Sequence, residues 1–451
     1  MEKKKFEYPV IKRFQPGMPG KSGLQPRLEP ITEINNTPVT SLLEEYGSPM
    51  FLIREDTIRD TYQSALQAFK SRYPKVQFAW SYKTNYLDAV CRVFHDEGSW
   101  AEVVSGFEYN KAKENGVPGK QIIFNGPDKS RDDLKMAVRD GAYIHLDHFD
   151  EMFTLIDLTN ELRMKAKVAI RINMDTGIFP KWDRFGFNYE NGEAWEALKK
   201  IAGQEFLELV GLHTHIGTYV MSVQAYAMAA KKLSELALRA DKNLGNKVKY
   251  IDMGGGFTSM NTLKGAYHSA TDTNPGFNEY ADAISYAIMS SGFQQDELPV
   301  LILETGRAMI DDAGYLLGSV LATKRLTDGR RATVLDFGVN ILFTSFWYDH
   351  EVHPGCETSD NSEETTLYGP LCMNIDVIRQ NLSFPLLKKG DPIVLPRVGA
   401  YNMTQWMQFI TYRPNVVMMD LEGKTHIIRQ KEGMDDLKRA EIVPDYLKRK
   451  E

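Results

Sequence analysis

Eight short strand-like runs alternate with helix-like segments between residues 76 and 306, and this alternation limits the fold more than any other feature. The runs are VQFAWSYK, WAEVVS, QIIFNG, YIHLDH, VAIRIN, LVGLHTHIG, VKYIDMGGG and VLILETG. Helical periodicity occupies the intervals, as at Tyr86–Glu97, Asp128–Arg139, Ala194–Ala202, Val223–Ala240 and Phe277–Met289. It also precedes the first run, at Arg54–Arg72, where Ile58, Tyr62, Leu66 and Phe69 share one side. Strands that alternate with helices form a parallel sheet. Eight units in about 230 residues predict a closed (β/α)8 barrel rather than an open sheet.

The pattern changes after Glu304. RATVLDFG, DPIVLPRVG, NVVMMD and THIIRQ have no long helices between them, and GCETSDNSEET reads as a polar loop. A C-terminal, mainly antiparallel β domain is expected there. The whole is then an α/β protein in four parts. Residues 1–35, rich in Lys, Pro and Gly, form an extended arm. Residues 36–53 pack on the β domain, 54–310 form the barrel, and 311–451 form the β domain.

Composition removes several classes of function. A net charge of −6 points to no nucleic acid and no anionic membrane. Three cysteines, Cys91, Cys356 and Cys372, make no disulfide framework. The charged N-terminus has no apolar core behind it, and no apolar run is long enough to span a bilayer. A cytoplasmic enzyme for a small molecule is the expectation.

Its chemistry is read from the ends of the strand-like runs. Lys83 closes the first, sharing a face with the small Ala79 and Ser81. Burial there is expected to lower its pKa and ready the amine for an aldehyde. His213 and His215 are two apart on one run and are expected to face the same way. They suit either a flat cofactor ring or a zinc ion. Gly217 and Thr218 after them allow a close ligand approach and add a hydroxyl. Gly254, Gly255 and Gly256 follow a strand as a phosphate-sized turn whose N–H groups converge on an anion. Glu304 ends the last run and Arg307 follows it. An amine, an imidazole pair, an anion turn and a carboxylate at one barrel end suit pyridoxal phosphate.

These motifs resemble those of the fold III pyridoxal-phosphate decarboxylases, the group with diaminopimelate and ornithine decarboxylases. SYKTN is similar to the family's cofactor-lysine motif, and AEVVSGFE to its second strand, with Glu102 at the acidic position. HTHIGT, GGGF and ETGR follow in family order, and GPLCMNID and VGAY resemble its Gly-Pro-x-Cys and Gly-Ala-Tyr segments. The resemblance implies that Lys83 holds the cofactor covalently, His215 stacks on its ring and Glu304 pairs with its nitrogen. It implies that Thr218, Gly254, Gly255, Gly256, Gly306, Arg307 and Tyr401 surround the phosphate. Cys372 would come from the second subunit of a head-to-tail homodimer and act as the acid that protonates the reacting carbon. No metal is implied.

Two positions depart strongly from the family pattern and a third mildly. Met373 stands where an acidic residue usually meets the substrate's distal amine. Thr344 stands where diaminopimelate decarboxylases carry an arginine for the distal carboxylate. Arg184, in DRFGF, replaces a usual lysine. The expected substrate is therefore an amino acid with a polar or basic side chain other than diaminopimelate, with Asp349 or Glu351 as alternative sources of negative charge. A pyridoxal-phosphate racemase or epimerase is the alternative activity, and a metal-dependent hydrolase on His213 and His215 a remoter one.

Overall fold

The computed structural model describes residues 28–266, 269–359 and 361–448. The expected arm over 1–35 lies outside the described residues as far as residue 27. No helix among the described residues is long and apolar enough to cross a membrane.

Eight parallel strands close into a barrel: β1 (Val76–Ser81), β2 (Trp100–Val103), β3 (Ile122–Phe124), β4 (Tyr143–Leu146), β5 (Ala166–Asn173), β6 (Leu207–His213), β7 (Tyr250–Asp252) and β8 (Val300–Thr305). Closure is made by β8 on β1, with Leu301 opposite Val76 and Thr305 opposite Trp80. Each strand reads as two faces. In β1, Phe78 and Trp80 point outward into the core shared with the helices, while Ala79 points inward. The helices follow from their own patterns. Glu55–Lys70 begins with Glu55 and Asp56, ends with Lys70, and buries Ile58, Tyr62, Ala65 and Phe69 at helical spacing. Burying Phe69 alone stabilises the fold by about 2 kcal/mol. Arg131–Asp140 starts at a Ser130–Asp133 capping box and stops at left-handed Gly141. The interior floor is apolar, with Ala79, Ile123, Ala169 and Tyr250 among its residues.

The second sheet is mainly antiparallel. Strand Gly314–Arg325 pairs antiparallel with Pro392–Pro396, Arg331–Leu335 and Met50–Arg54. Met50–Arg54 also pairs in parallel with Asn415–Met419, which in turn meets Thr425–Arg429. Strand Ser362–Tyr368 falls partly within the run read as a polar loop, and pairs with Val377–Pro385. Its first residues are largely solvent-facing, which explains their polarity.

Candidate active site

The carboxyl ends of the barrel strands open into a cavity of about 390 Å³. Lys83, Glu102, His213, His215, Thr218, Gly255, Gly256, Glu304, Gly306, Arg307 and Tyr401 all line it. Backbone geometry sets how each side chain arrives. Strand β1 stops at Ser81, and Lys83 lies one turn beyond, in the 3-10 turn Tyr82–Thr84. That turn is tied to the second sheet. Tyr401, at φ 61°, donates its N–H to the Thr84 carbonyl at 2.8 Å, and Asn85 Nδ2 donates to the Gly399 carbonyl at 3.1 Å.

Lys83 Nζ is 2.5 Å from Glu102 Oε2. Asn125 Nδ2 donates to Glu102 Oε1 at 3.1 Å and also to Glu304 Oε1. One amide thus holds both carboxylates in place. The expected fall in the Lys83 pKa is reversed. Burial pulls it down, but the carboxylates of Glu102 and Glu304 outweigh burial and raise it above the ordinary lysine range.

The two histidines do not share one strand face. Strand β6 ends at His213, so the two-residue period no longer governs His215. His213 is fully buried, with Nε2 3.4 Å from Glu304 Oε1. His215 is partly exposed and accepts the Gly255 N–H on Nδ1 at 3.1 Å. Burial, with the Arg171 charge nearby, pushes the His215 pKa down to about 3. Its imidazole is therefore neutral at physiological pH.

The triple glycine is demanded by packing. A Cβ on Gly254, Gly255 or Gly256 would meet the carbonyl oxygens of Thr214, Glu304 or Gly217 at 2.6, 2.3 or 2.2 Å. The expected nest of three converging N–H groups is not what forms here. Gly254 donates to Asp252 Oδ1 at 2.8 Å and Gly255 to His215, so two of the three N–H groups have protein partners. Gly254 does not line the cavity. Arg307 is buried beneath aromatic rings, with Tyr401 at 4.7 Å and Tyr348 at 5.2 Å, and it donates to the Tyr348 hydroxyl.

Besides Gly254, four expected site residues stay away from the cavity of their own chain. Cys372 is exposed on the Gly369–Cys372 loop, whose Leu371 N–H donates to Asp376 Oδ2 at 2.7 Å. Met373 beside it packs on the core. Thr344 is buried, its hydroxyl 2.9 Å from both His350 Nε2 and Asn402 Oδ1. Arg184 is exposed, its guanidinium over the Phe185 ring at 5.1 Å. Within one chain, Thr344 and Arg184 therefore stand apart from the cavity lining. Asn125, Arg171 and Trp182 do line the cavity and were missed. A charged Arg171 inside the apolar run VAIRIN was the available signal for one of them. Trp182, 5.4 Å from the His215 ring, sits on a loop with no periodic signal.

Comparison with known proteins agrees with this geometry. Residues 59–311 match the model of the pyridoxal-dependent decarboxylase family, pyridoxal binding domain. Diaminopimelate decarboxylase of Methanocaldococcus jannaschii is 29% identical over 90% of this chain and 94% of that one. The enzyme of that name from Bacillus subtilis is 27% identical over 91% and 95%. The solved M. jannaschii structure superposes with a TM-score of 0.84 at 28% identity, covering 92% of this chain and 96% of that one. Another structure of the same enzyme contains L-lysine. With a family model that covers more than half of it and relatives that span nearly all of it, the chain belongs to the pyridoxal-dependent decarboxylases of fold type III, amino-acid decarboxylases whose cofactor is pyridoxal 5'-phosphate.

Proposed function

We propose that the chain decarboxylates an amino acid of the diaminopimelate, ornithine or lysine type, with a polar or basic side chain, in cavities shared by two copies of the chain. The observation that carries this reading is the joint presence of Lys83, His215, Glu304 and Arg307 around one cavity while Cys372 faces solvent. When bound, pyridoxal phosphate supplies an electron sink for the pair left as the α-carboxylate departs as carbon dioxide. Lys83 would hold it through Nζ, and Glu304 would pair with its ring nitrogen. His215 would lie against the ring, where its neutral imidazole adds no competing charge. Thr218, Gly255, Gly256, Gly306, Arg307 and Tyr401 receive the phosphate. Glu102 orients Lys83.

The second copy supplies Cys372 as the proton donor to the reacting carbon, and Met373 beside it meets the substrate. The Asp376 carboxylate holds that loop in shape, accepting the N–H groups of Val339 and Leu371. Diaminopimelate is a poor substrate on this reading, because Thr344 offers no cation and its hydroxyl is engaged by His350 and Asn402. The relatives named for diaminopimelate support the reaction class and the length of side chain. The same reading keeps the division expected above as a proposal, with 36–53 joining the β domain, 54–310 the barrel and 311–451 the β domain. Three free cysteines support a cytoplasmic setting.

Incubating the enzyme with a panel of D- and L-amino acids, and following carbon dioxide and product mass, tests the proposal. Loss of carbon dioxide from a basic or polar amino acid is expected. Inversion at the α-carbon without gas would overturn it.

A further inference from the structure

Below the mouth of the barrel, four alternate strands send polar side chains inward: Glu102 from β2, His145 from β4, His213 from β6 and Glu304 from β8. All four are at most 4% exposed. Alternate strands of such a barrel fill each interior layer, and the residues are normally branched and apolar. Two imidazoles and two carboxylates here are a departure. Glu102 is taken by Lys83. The other three converge, each offering a ligand atom within 4.8 Å of the others.

Their hydrogen bonding is incomplete. His145 Nε2 lies 2.8 Å from the Tyr250 hydroxyl, but its Nδ1 has no partner. Neither ring nitrogen of His213 has a hydrogen-bond partner. Buried polar groups are almost always satisfied, and two imidazoles with orphan nitrogens beside one carboxylate call for a ligand. A tetrahedral ion held about 2.1 Å from N and O donors sets them about 3.4 Å apart. His213 Nε2 and Glu304 Oε1 already stand at 3.4 Å.

We propose that His145, His213 and Glu304 form a binding site for a divalent transition ion of the Zn²⁺ class. Two imidazoles and one carboxylate are an established zinc ligand set. With the ion bound, His145 would carry its proton on Nε2 and donate it to the Tyr250 oxygen 2.8 Å away, leaving Nδ1 for the metal. His213 and Glu304 line the cavity, so the ion enters by the cofactor's own mouth. Where it rests on the reading of Glu304 above, the inference has a consequence: ion and cofactor compete for one carboxylate, and the ion occupies the cofactor-free chain.

The test is zinc titration of the full-length chain stripped of cofactor, followed by calorimetry, with Co²⁺ absorbance as a second readout. One ion per chain is expected. His145→Asn should weaken binding by about 100-fold or more, and Tyr250→Phe, which keeps all three ligands, by about tenfold. Circular dichroism confirms that each variant is folded. Added pyridoxal phosphate should release the ion. Absence of binding, unchanged binding in folded His145→Asn, or simultaneous binding of ion and cofactor without mutual effect would overturn the proposal. Failure of the cofactor reading shows itself separately, as a metal-free chain that forms no lysine-linked chromophore.

Discussion

The barrel mouth and the Gly369–Cys372 loop carry the two halves of the expected chemistry, and they are built differently. At the mouth the principal polar groups lean on others of the same chain: Lys83 on Glu102, Glu102 and Glu304 on Asn125, Gly255 on His215. The loop is just as well held, by Asp376, yet it presents Cys372 to solvent. A loop held by its own hydrogen bonds with its thiol outward fits the proposed role in a second copy's cavity. On the proposed reading, the contrast teaches that one half of the site is built within a chain and the other is lent to a second copy.

The comparison breaks most visibly at the lysine. Lys83→Ala should abolish the visible chromophore formed with pyridoxal phosphate and all turnover; a retained chromophore in the absorbance spectrum would move the anchor elsewhere. Cys372→Ala should lower kcat by about 100-fold through loss of a proton donor, with the chromophore intact. Mixing these two inactive variants sharpens the point. If the loop serves a neighbour, subunit exchange restores activity in the mixed species, measured as carbon dioxide release; no recovery would return Cys372 to its own chain.

Smaller effects concern the joints. Asp376→Asn leaves one of two buried N–H groups without an acceptor and should cost about 1–3 kcal/mol in urea unfolding. Asp311 joins the Arg307 turn to the Tyr401 segment, accepting from Asn261 and from the Ala400 N–H. Burial raises its pKa from 3.8 to about 6, against the opposing pull of Arg307. The folded state therefore binds the extra proton, and stability falls as pH rises from about 4 to about 6. The size is at most about 3 kcal/mol. Asp311→Asn should flatten that slope in unfolding midpoints taken across the range, while the slope persists in Asp376→Asn.

The barrel was legible because strand and helix periods alternate cleanly, and its outward Phe78 and Trp80 and inward Ala79 follow from the pleat. Lys83, His215, Glu304 and Arg307 were legible because each ends or follows a strand-like run, and such ends share one face of a barrel. Pairings were not. Nothing in the order of residues says that Glu102 would reverse the burial effect on Lys83, since that depends on Asn125 holding two acids side by side. The split of His213 from His215 turns on where β6 loses its hydrogen bonds, a matter of one residue. Thr344 reads as an open position, yet Asn402 and His350 close over it from distant parts of the chain.

Strand Met50–Arg54 sits between Gly314–Arg325 and Asn415–Met419. On the ribosome this early segment must wait for residues 314–325 to cover one edge, and until nearly the last of the polypeptide has emerged to cover the other. Contacts so distant in sequence slow folding and leave strand edges open to wrong partners. The enzyme's vulnerable moment is thus its birth rather than its working life, and a chain cut short near its end would strand its beginning as well.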